Sequence, residues 1–275
     1  MNSKTGIDLI GSSLAGLISE HGIIARCELL NRVYEYVRTA GLSREDRAEL
    51  EKQVGKNIAS GIFMNVLSGA PMFSDLPKLD TYTTLHGRLF HFVHTNKYSR
   101  QDFDQAYRRF VEGRPELRAV LEENLAEVLT GFMSEAGYRL AGRAEEKVGE
   151  KVKEKELLRS SPRLRFEAAG RAAEVLVLTS IKNLDPEAKE LKPNPEVDLI
   201  ILVPSGESVE PFMRFYRESG SGLEEAGVEV WIANLEKGTI DPYIGYVTDM
   251  DIYRQFKNPR LAENVRSTWE LKKKD

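Results

Sequence analysis

The stretch that decides the fold of the second half of the chain is PEVDLIILVP, residues 195–204. Its centre, 197–203, is an apolar run rich in β-branched residues and bounded by two prolines. A short run of this kind is typical of a strand that is buried on both faces of a sheet. We therefore predict a buried strand here, with Asp198 at its polar entrance.

The segments that follow this strand predict a small mixed sheet. Residues 228–234 (VEVWIAN) form a second strand-like run, and Ser208 can cap a helix between the two runs. Strand, helix and strand in this order predict a parallel pair joined by a right-handed crossover. Residues 239–247 are predicted to return as a further strand, and short helices over 251–256 and 261–271 complete the domain.

The first half of the chain shows helical spacing almost throughout. Ser43 and Ser99 each precede an acid by three residues, which is a helix N-terminal capping pattern. Apolar residues recur at helical spacing over 117–133, and a further helix is predicted over 83–95. We predict that residues 1–138 form an all-α domain.

A charged segment separates the two halves. Residues 139–159 hold seven basic and five acidic side chains with a narrow apolar edge, and Pro162 follows shortly after. This pattern favours a solvated helix over 139–160 that connects two domains. The predicted fold class is therefore α+β, with an all-α domain, this connecting helix and an α/β domain over 161–275.

Composition excludes several classes of protein. With 275 residues, 41% hydrophobic and 30% charged, the chain can bury a real core, so a disordered, collagen-like or disulfide-stapled protein is not expected. The longest apolar run, 199–203, is far shorter than the roughly 20 residues that span a bilayer. A single cysteine, Cys27, suits the reducing cytoplasm, and we expect it to be a buried small side chain. Abundant Glu, Lys and Arg resemble the composition of thermophile proteins.

Three of the four histidines, His86, His91 and His94, lie close together in the sequence. Imidazoles are good metal ligands, and His91 and His94 would lie one turn apart on a helix. His86 would point about 140° away from His91 on that helix, so the three do not converge. We favour packing over metal binding. The chain also has no glycine-rich phosphate loop and no GxSxG elbow, so neither a dinucleotide site nor a serine hydrolase is predicted.

The runs GRAAEVLVL, residues 170–178, and PEVDLIIL, residues 195–202, resemble the restriction-endonuclease-like PD-(D/E)XK superfamily over about 163–235. The resemblance implies that Asp198 is the metal-binding acid and that Glu174 is an accessory acid on a helix. In an alternative register both acids lie on strands, and Lys182 is a displaced catalytic lysine. Such a site would use Mg²⁺ held by carboxylates to activate water.

The motif of that superfamily is incomplete here, since no Glu-x-Lys or Asp-x-Lys follows Asp198 on a strand. Two hypotheses remain open. The first, which we prefer because of the missing lysine and the net charge of −4, is a non-catalytic interaction protein without a cofactor. Its partner is a protein or a second copy, or else nucleic acid, with no membrane. The second is a Mg²⁺-dependent nuclease. The candidate nucleic-acid-binding residues are Lys147, Lys151, Lys155, Arg163 and Arg165.

Overall fold

The computed structural model describes residues 6–68, 79–85, 88–94, 96–143, 161–168, 170–184, 197–205, 218 and 228–243. Within these ranges the chain forms six α-helices, a three-stranded sheet and a six-stranded sheet. The fold is thus a mixture of helix and sheet, as predicted. The chain divides into two compact units. Unit 1 comprises Met1–Asn124 and Glu236–Gly238, and unit 2 comprises Leu125–Leu235 and Thr239–Asp275.

The helices follow the apolar spacing of the sequence. Their bounds are α1 Gly6–His21, α2 Arg26–Thr39, α3 Arg44–Val54, α4 Ile58–Ser68, α5 Arg100–Glu112 and α6 Arg114–Glu135. Both predicted caps are present, since the hydroxyls of Ser43 and Ser99 accept from the backbone N–H three residues later. Helix α3 ends at Gly55, whose φ is 96°.

The N-terminal half is not all-α, because the predicted helix over 83–95 is wrong. Residues 83–85 and 88–94 lie in two antiparallel strands, β2 (Leu79–Leu85) and β3 (Arg88–His94). The short β1 (Ile23–Ala25) pairs with the other side of β3. The region is rich in threonine and aromatic residues, which favour strands, and this preference prevails over a short helical spacing. Phe92 of β3 is fully buried and packs against Phe103 of α5, with 5.6 Å between ring centroids.

The predicted connecting helix is also wrong over its first residues. Gly137 follows α6 with φ 88°, and the Tyr138 N–H donates to Met133 O across 2.9 Å. This hydrogen bond closes the helix in the manner of a left-handed glycine cap. The chain then enters strand β4, Arg139–Arg143. The rest of the predicted connecting segment, 144–160, lies outside the described residues.

Unit 2 contains a six-stranded mixed sheet in the order β4-β5-β6-β7-β8-β9. Its remaining strands are β5 Arg163–Ala168, β6 Arg171–Val177, β7 Val197–Pro204, β8 Val228–Asn234 and β9 Thr239–Tyr243. Strands β6, β7 and β8 are parallel to one another, and the other pairs are antiparallel. The predicted buried strand and its parallel neighbour are therefore confirmed. The returning strand is confirmed over 239–243, and 244–247 lie outside the described residues. The helices predicted after Ser208 and over 251–256 and 261–271 lie outside the described residues.

Candidate functional site

The two acids singled out by the sequence, Glu174 and Asp198, lie on neighbouring parallel strands. Glu174 is on β6 rather than on a helix, and Asp198 is on β7, as in the alternative register. The register pairs Asp198 with Ala173, and Glu174 with Leu199. Because successive side chains of a strand point to opposite faces, the two carboxylates lie on opposite faces of the sheet. They do not converge on one metal ion or one substrate atom.

Glu174 is engaged with the basic residues of the adjacent strand β5. Arg165 lies directly opposite Glu174 in the antiparallel register. Arg163 Nη1 lies 4.0 Å from Glu174 Oε1, and both side chains are about a quarter exposed. This face of β5 and β6 therefore places arginine beside the Glu174 carboxylate.

Lys182, the predicted displaced lysine, lies beyond the end of β6 in a short 3₁₀ helix, Ile181–Asn183. Asp198 pairs with Ala173 near the start of β6, four residues before Val177, where that strand ends. At about 3.3 Å per residue, that separation along the sheet is about 13 Å. Lys182 is also exposed, so the structure does not bring this ammonium to Asp198.

Asp198 shares its face of the sheet with a second acid, Glu229, which the sequence analysis missed. The β7–β8 register places Glu229 opposite Ile200, two residues after Asp198. Two residues of rise and one strand spacing put the two Cα atoms about 8 Å apart. Glu229 could have been found as the only acid on the strand that follows Asp198 in the sequence.

The phenol of Tyr138 lies within electrostatic range of both acids. Burial raises the pKa of Tyr138, and the carboxylates of Asp198 and Glu229 act in the same direction. The guanidinium of Arg171, at the start of β6, opposes them and lowers the pKa of Tyr138. Tyr138, Arg171, Asp198 and Glu229 form what we call the polar cluster. It combines two carboxylates with one guanidinium, so its charges partly cancel.

The position two residues after Glu229 is occupied by Trp231, where the D/E-x-K pattern requires lysine. Trp231 is fully buried, and its indole Nε1 donates to Glu229 Oε2 across 2.9 Å. The ring of Phe132 packs edge-on against the indole, with 5.6 Å between centroids. Glu229 therefore has a neutral hydrogen-bond donor, and not a lysine, two residues after it on β8.

The predicted nucleic-acid-binding residues are only partly described. Lys147, Lys151 and Lys155 lie outside the described residues. Arg163 and Arg165 lie on β5, and each is close to a carboxylate. The partner of Arg163 is Glu174, and Arg165 Nε lies 3.3 Å from Glu167 Oε1. These ion pairs reduce the positive charge that the face can offer to phosphates.

The histidines and the cysteine do not form a site in the described part of the chain. His91 and His94 lie three residues apart on β3, hence on opposite faces, and His86 is outside the described residues. His94 is buried, its Nδ1 lies 2.6 Å from Asn96 O, and its ring packs against Phe103. No three His, Cys, Asp or Glu side chains come together as a metal site among the residues described. Cys27 is exposed, which corrects the expectation of a buried side chain.

A family model described as "Domain of unknown function (DUF6834), C-terminal domain" matches residues 183–258. The matched segment contains Asp198, Glu229 and Trp231, and it begins after Glu174. A search of curated proteins finds no match. None of the helices in the described ranges is both long and apolar enough to cross a membrane.

Proposed function

We propose that the protein is a non-catalytic interaction protein whose second half is a degenerate nuclease-like α/β domain. One observation carries the proposal: Glu174 and Asp198 lie on opposite faces of the sheet. A two-carboxylate Mg²⁺ site needs both acids within reach of one ion. Glu174 and Asp198 cannot both reach one ion from opposite faces of the sheet, so the proposal includes no catalytic step with Mg²⁺.

The arrangement of strands supports the nuclease-like ancestry in this proposal. An acid, Asp198, opens an apolar strand, and the next strand in sequence carries a second acid, Glu229. This is the order of the superfamily motif. Trp231 then replaces the lysine, which supports loss of catalysis with retention of the scaffold.

The proposal includes a two-domain layout and a cytoplasmic protein. The division of the chain into two compact units supports the layout. The single cysteine suits a reducing compartment. We propose a protein partner over nucleic acid, because Arg163 and Arg165 are both close to carboxylates and the net charge is −4.

A cleavage assay tests this proposal. The full chain is incubated with plasmid DNA and with single-stranded and double-stranded oligonucleotides of DNA and RNA, in Mg²⁺ or Mn²⁺. We expect no cleavage above that of an Asp198→Ala preparation purified in the same way. Cleavage by the wild type that is lost in Asp198→Ala and in Glu229→Gln would overturn the proposal.

A Mg²⁺-dependent nuclease remains the second candidate function, because Asp198 and Glu229 share a face of the sheet. Carboxylate oxygens are suitable ligands for Mg²⁺, and these two residues would hold it. Against this role, the Trp231 indole already donates to one oxygen of Glu229. No lysine occupies the position two residues after that acid.

A further inference from the structure

The two edges of the six-stranded sheet differ in their ability to accept another strand. Among the described residues, β4 forms one edge and β9 the other. Strand β9 contains Pro242, which has no N–H and therefore cannot complete a hydrogen-bonded ladder. Strand β4, RLAGR, contains no proline.

Strand β4 is exposed along its length. Four of its five residues are exposed and Gly142 is half-buried. Leu140 is 42% exposed, although it is a large apolar side chain. Strand β4 pairs antiparallel with β5 through a bulge between Leu140 and Gly142, and none of the described strands pairs with its other side.

The charges of β4 select among possible partners. The strand carries Arg139 and Arg143 and no acidic residue. Two copies of β4 paired antiparallel over all five residues would place Arg139 of one copy opposite Arg143 of the other. Like charges in direct opposition destabilise a strand pair. Acidic side chains at those positions would instead be attracted.

We propose that β4 binds an extended acidic segment of a partner protein as a seventh strand of this sheet. The inference rests on the proposed role as an interaction protein and adds the surface and the partner class. Backbone hydrogen bonds supply sequence-independent affinity in this mode of recognition, and side chains supply specificity. Here Leu140 offers an apolar contact, and the two arginines of β4 favour acidic partners.

The test uses fluorescein-labelled peptides and the full chain, with binding measured by fluorescence anisotropy. The first probe is an eight-residue peptide of alternating Glu and Val. Two controls have Lys in place of Glu, or N-methylation at every residue so that neither edge of the peptide can donate. We expect binding of the Glu-Val peptide, and affinities lower by about tenfold or more for both controls.

Variants of the protein locate the binding surface. Arg139→Glu/Arg143→Glu should weaken binding of the Glu-Val peptide by about tenfold or more. The matched control, Arg44→Glu/Arg47→Glu, makes the same charge change at two positions of α3 and should leave the affinity unchanged. Circular dichroism establishes that both variants are folded.

Three results of the peptide-binding experiments would overturn the inference. They are equal binding of the N-methylated and unmethylated peptides, equal loss in the two double variants, and no binding of the Glu-Val peptide. A self-association that Arg139→Glu/Arg143→Glu abolishes would assign the edge to a second copy and would also overturn it. Each result leaves the cleavage assay unaffected, so failure here is distinct from failure of the proposed function.

Discussion

Trp231 and Glu229 are joined by a hydrogen bond of 2.9 Å from the indole N–H to the carboxylate, two residues apart on the same strand. In a nuclease with the D/E-x-K pattern, the position of Trp231 would carry the ammonium group of a lysine. A buried indole cannot stabilise the charge that develops in phosphodiester hydrolysis as lysine would. The bond instead ties an acid of the polar cluster to the hydrophobic core beside Phe132.

Replacement of Trp231 should therefore reduce stability. Trp231→Phe keeps the apolar packing but leaves Glu229 without the indole donor, at an expected cost of about 1–3 kcal/mol. Trp231→Ala also removes the packing against Phe132 and should cost about 3–5 kcal/mol. Urea unfolding followed by circular dichroism measures both. Equal stability of wild type and Trp231→Phe would contradict a role for the hydrogen bond.

Asn124, which is fully buried, should be important for the docking of the first half of α6 on α2. Its Nδ2 donates to Asn31 Oδ1 across 2.9 Å, and its Oδ1 accepts from Arg38 Nη1 across 2.7 Å. Its Nδ2 also lies 3.1 Å from Asn31 O. Asn124→Ala removes all three hydrogen bonds, so the free energy of unfolding should fall by about 2–4 kcal/mol. Chemical denaturation measures the change, with exposed Ser134→Ala on the same helix as the control. A loss no larger than that of the control would show that the network adds nothing.

The bidentate pair of Arg26 and Glu236 should show measurable coupling within unit 1. Arg26 Nε lies 2.8 Å from Glu236 Oε1, Arg26 Nη2 lies 3.1 Å from Oε2, and the guanidinium stacks 5.2 Å from the Phe63 ring centroid. Glu236 is 43% exposed, so solvent screens the pair and we expect only about 0.5–1 kcal/mol. A double-mutant cycle with Arg26→Ala and Glu236→Ala measures it by chemical denaturation. Strictly additive single variants would rule out the coupling.

The cap of α5 should make stability depend on pH. Hydrogen bonds from the hydroxyl and backbone N–H of Ser99 hold the pKa of Asp102 below its usual range. A carboxyl whose pKa is lowered by folding stabilises the fold above its unfolded pKa, and this contribution is lost as the pH falls through the folded pKa. Asp102→Asn should therefore melt below the wild type at neutral pH. The difference should diminish in acid below the folded pKa of Asp102. A difference that persists unchanged in acid would contradict the cap.

Sequence patterns identified the elements whose side chains carry a strong local signal. The apolar run after Asp198 indicated a buried strand, and the serine–acid spacings at Ser43 and Ser99 fixed two helix starts. The helix predicted over 83–95 was wrong because a few apolar residues around His91 fit helical spacing by chance. Its threonines and aromatics, which prefer a pleated surface, were the better guide.

The relationship between Glu174 and Asp198 could not be obtained from sequence. In the alternative register, both acids lie on strands. A shift of one residue between strands moves a side chain to the other face, and the sequence does not specify that register. For the same reason Glu229 gained significance only once the pairing of β7 with β8 was known.

The most direct test of the central claim measures which residues share a face of this sheet. In a Cys27→Ser background, Glu174→Cys/Asp198→Cys is compared with Arg165→Cys/Glu174→Cys, whose Cβ atoms should lie about 4.5–5.5 Å apart on one face. After mild oxidation, mass spectrometry quantifies the intramolecular disulfide. The account predicts a disulfide in the second pair and none in the first. Efficient formation in the Glu174→Cys/Asp198→Cys protein would place the two acids together and contradict it.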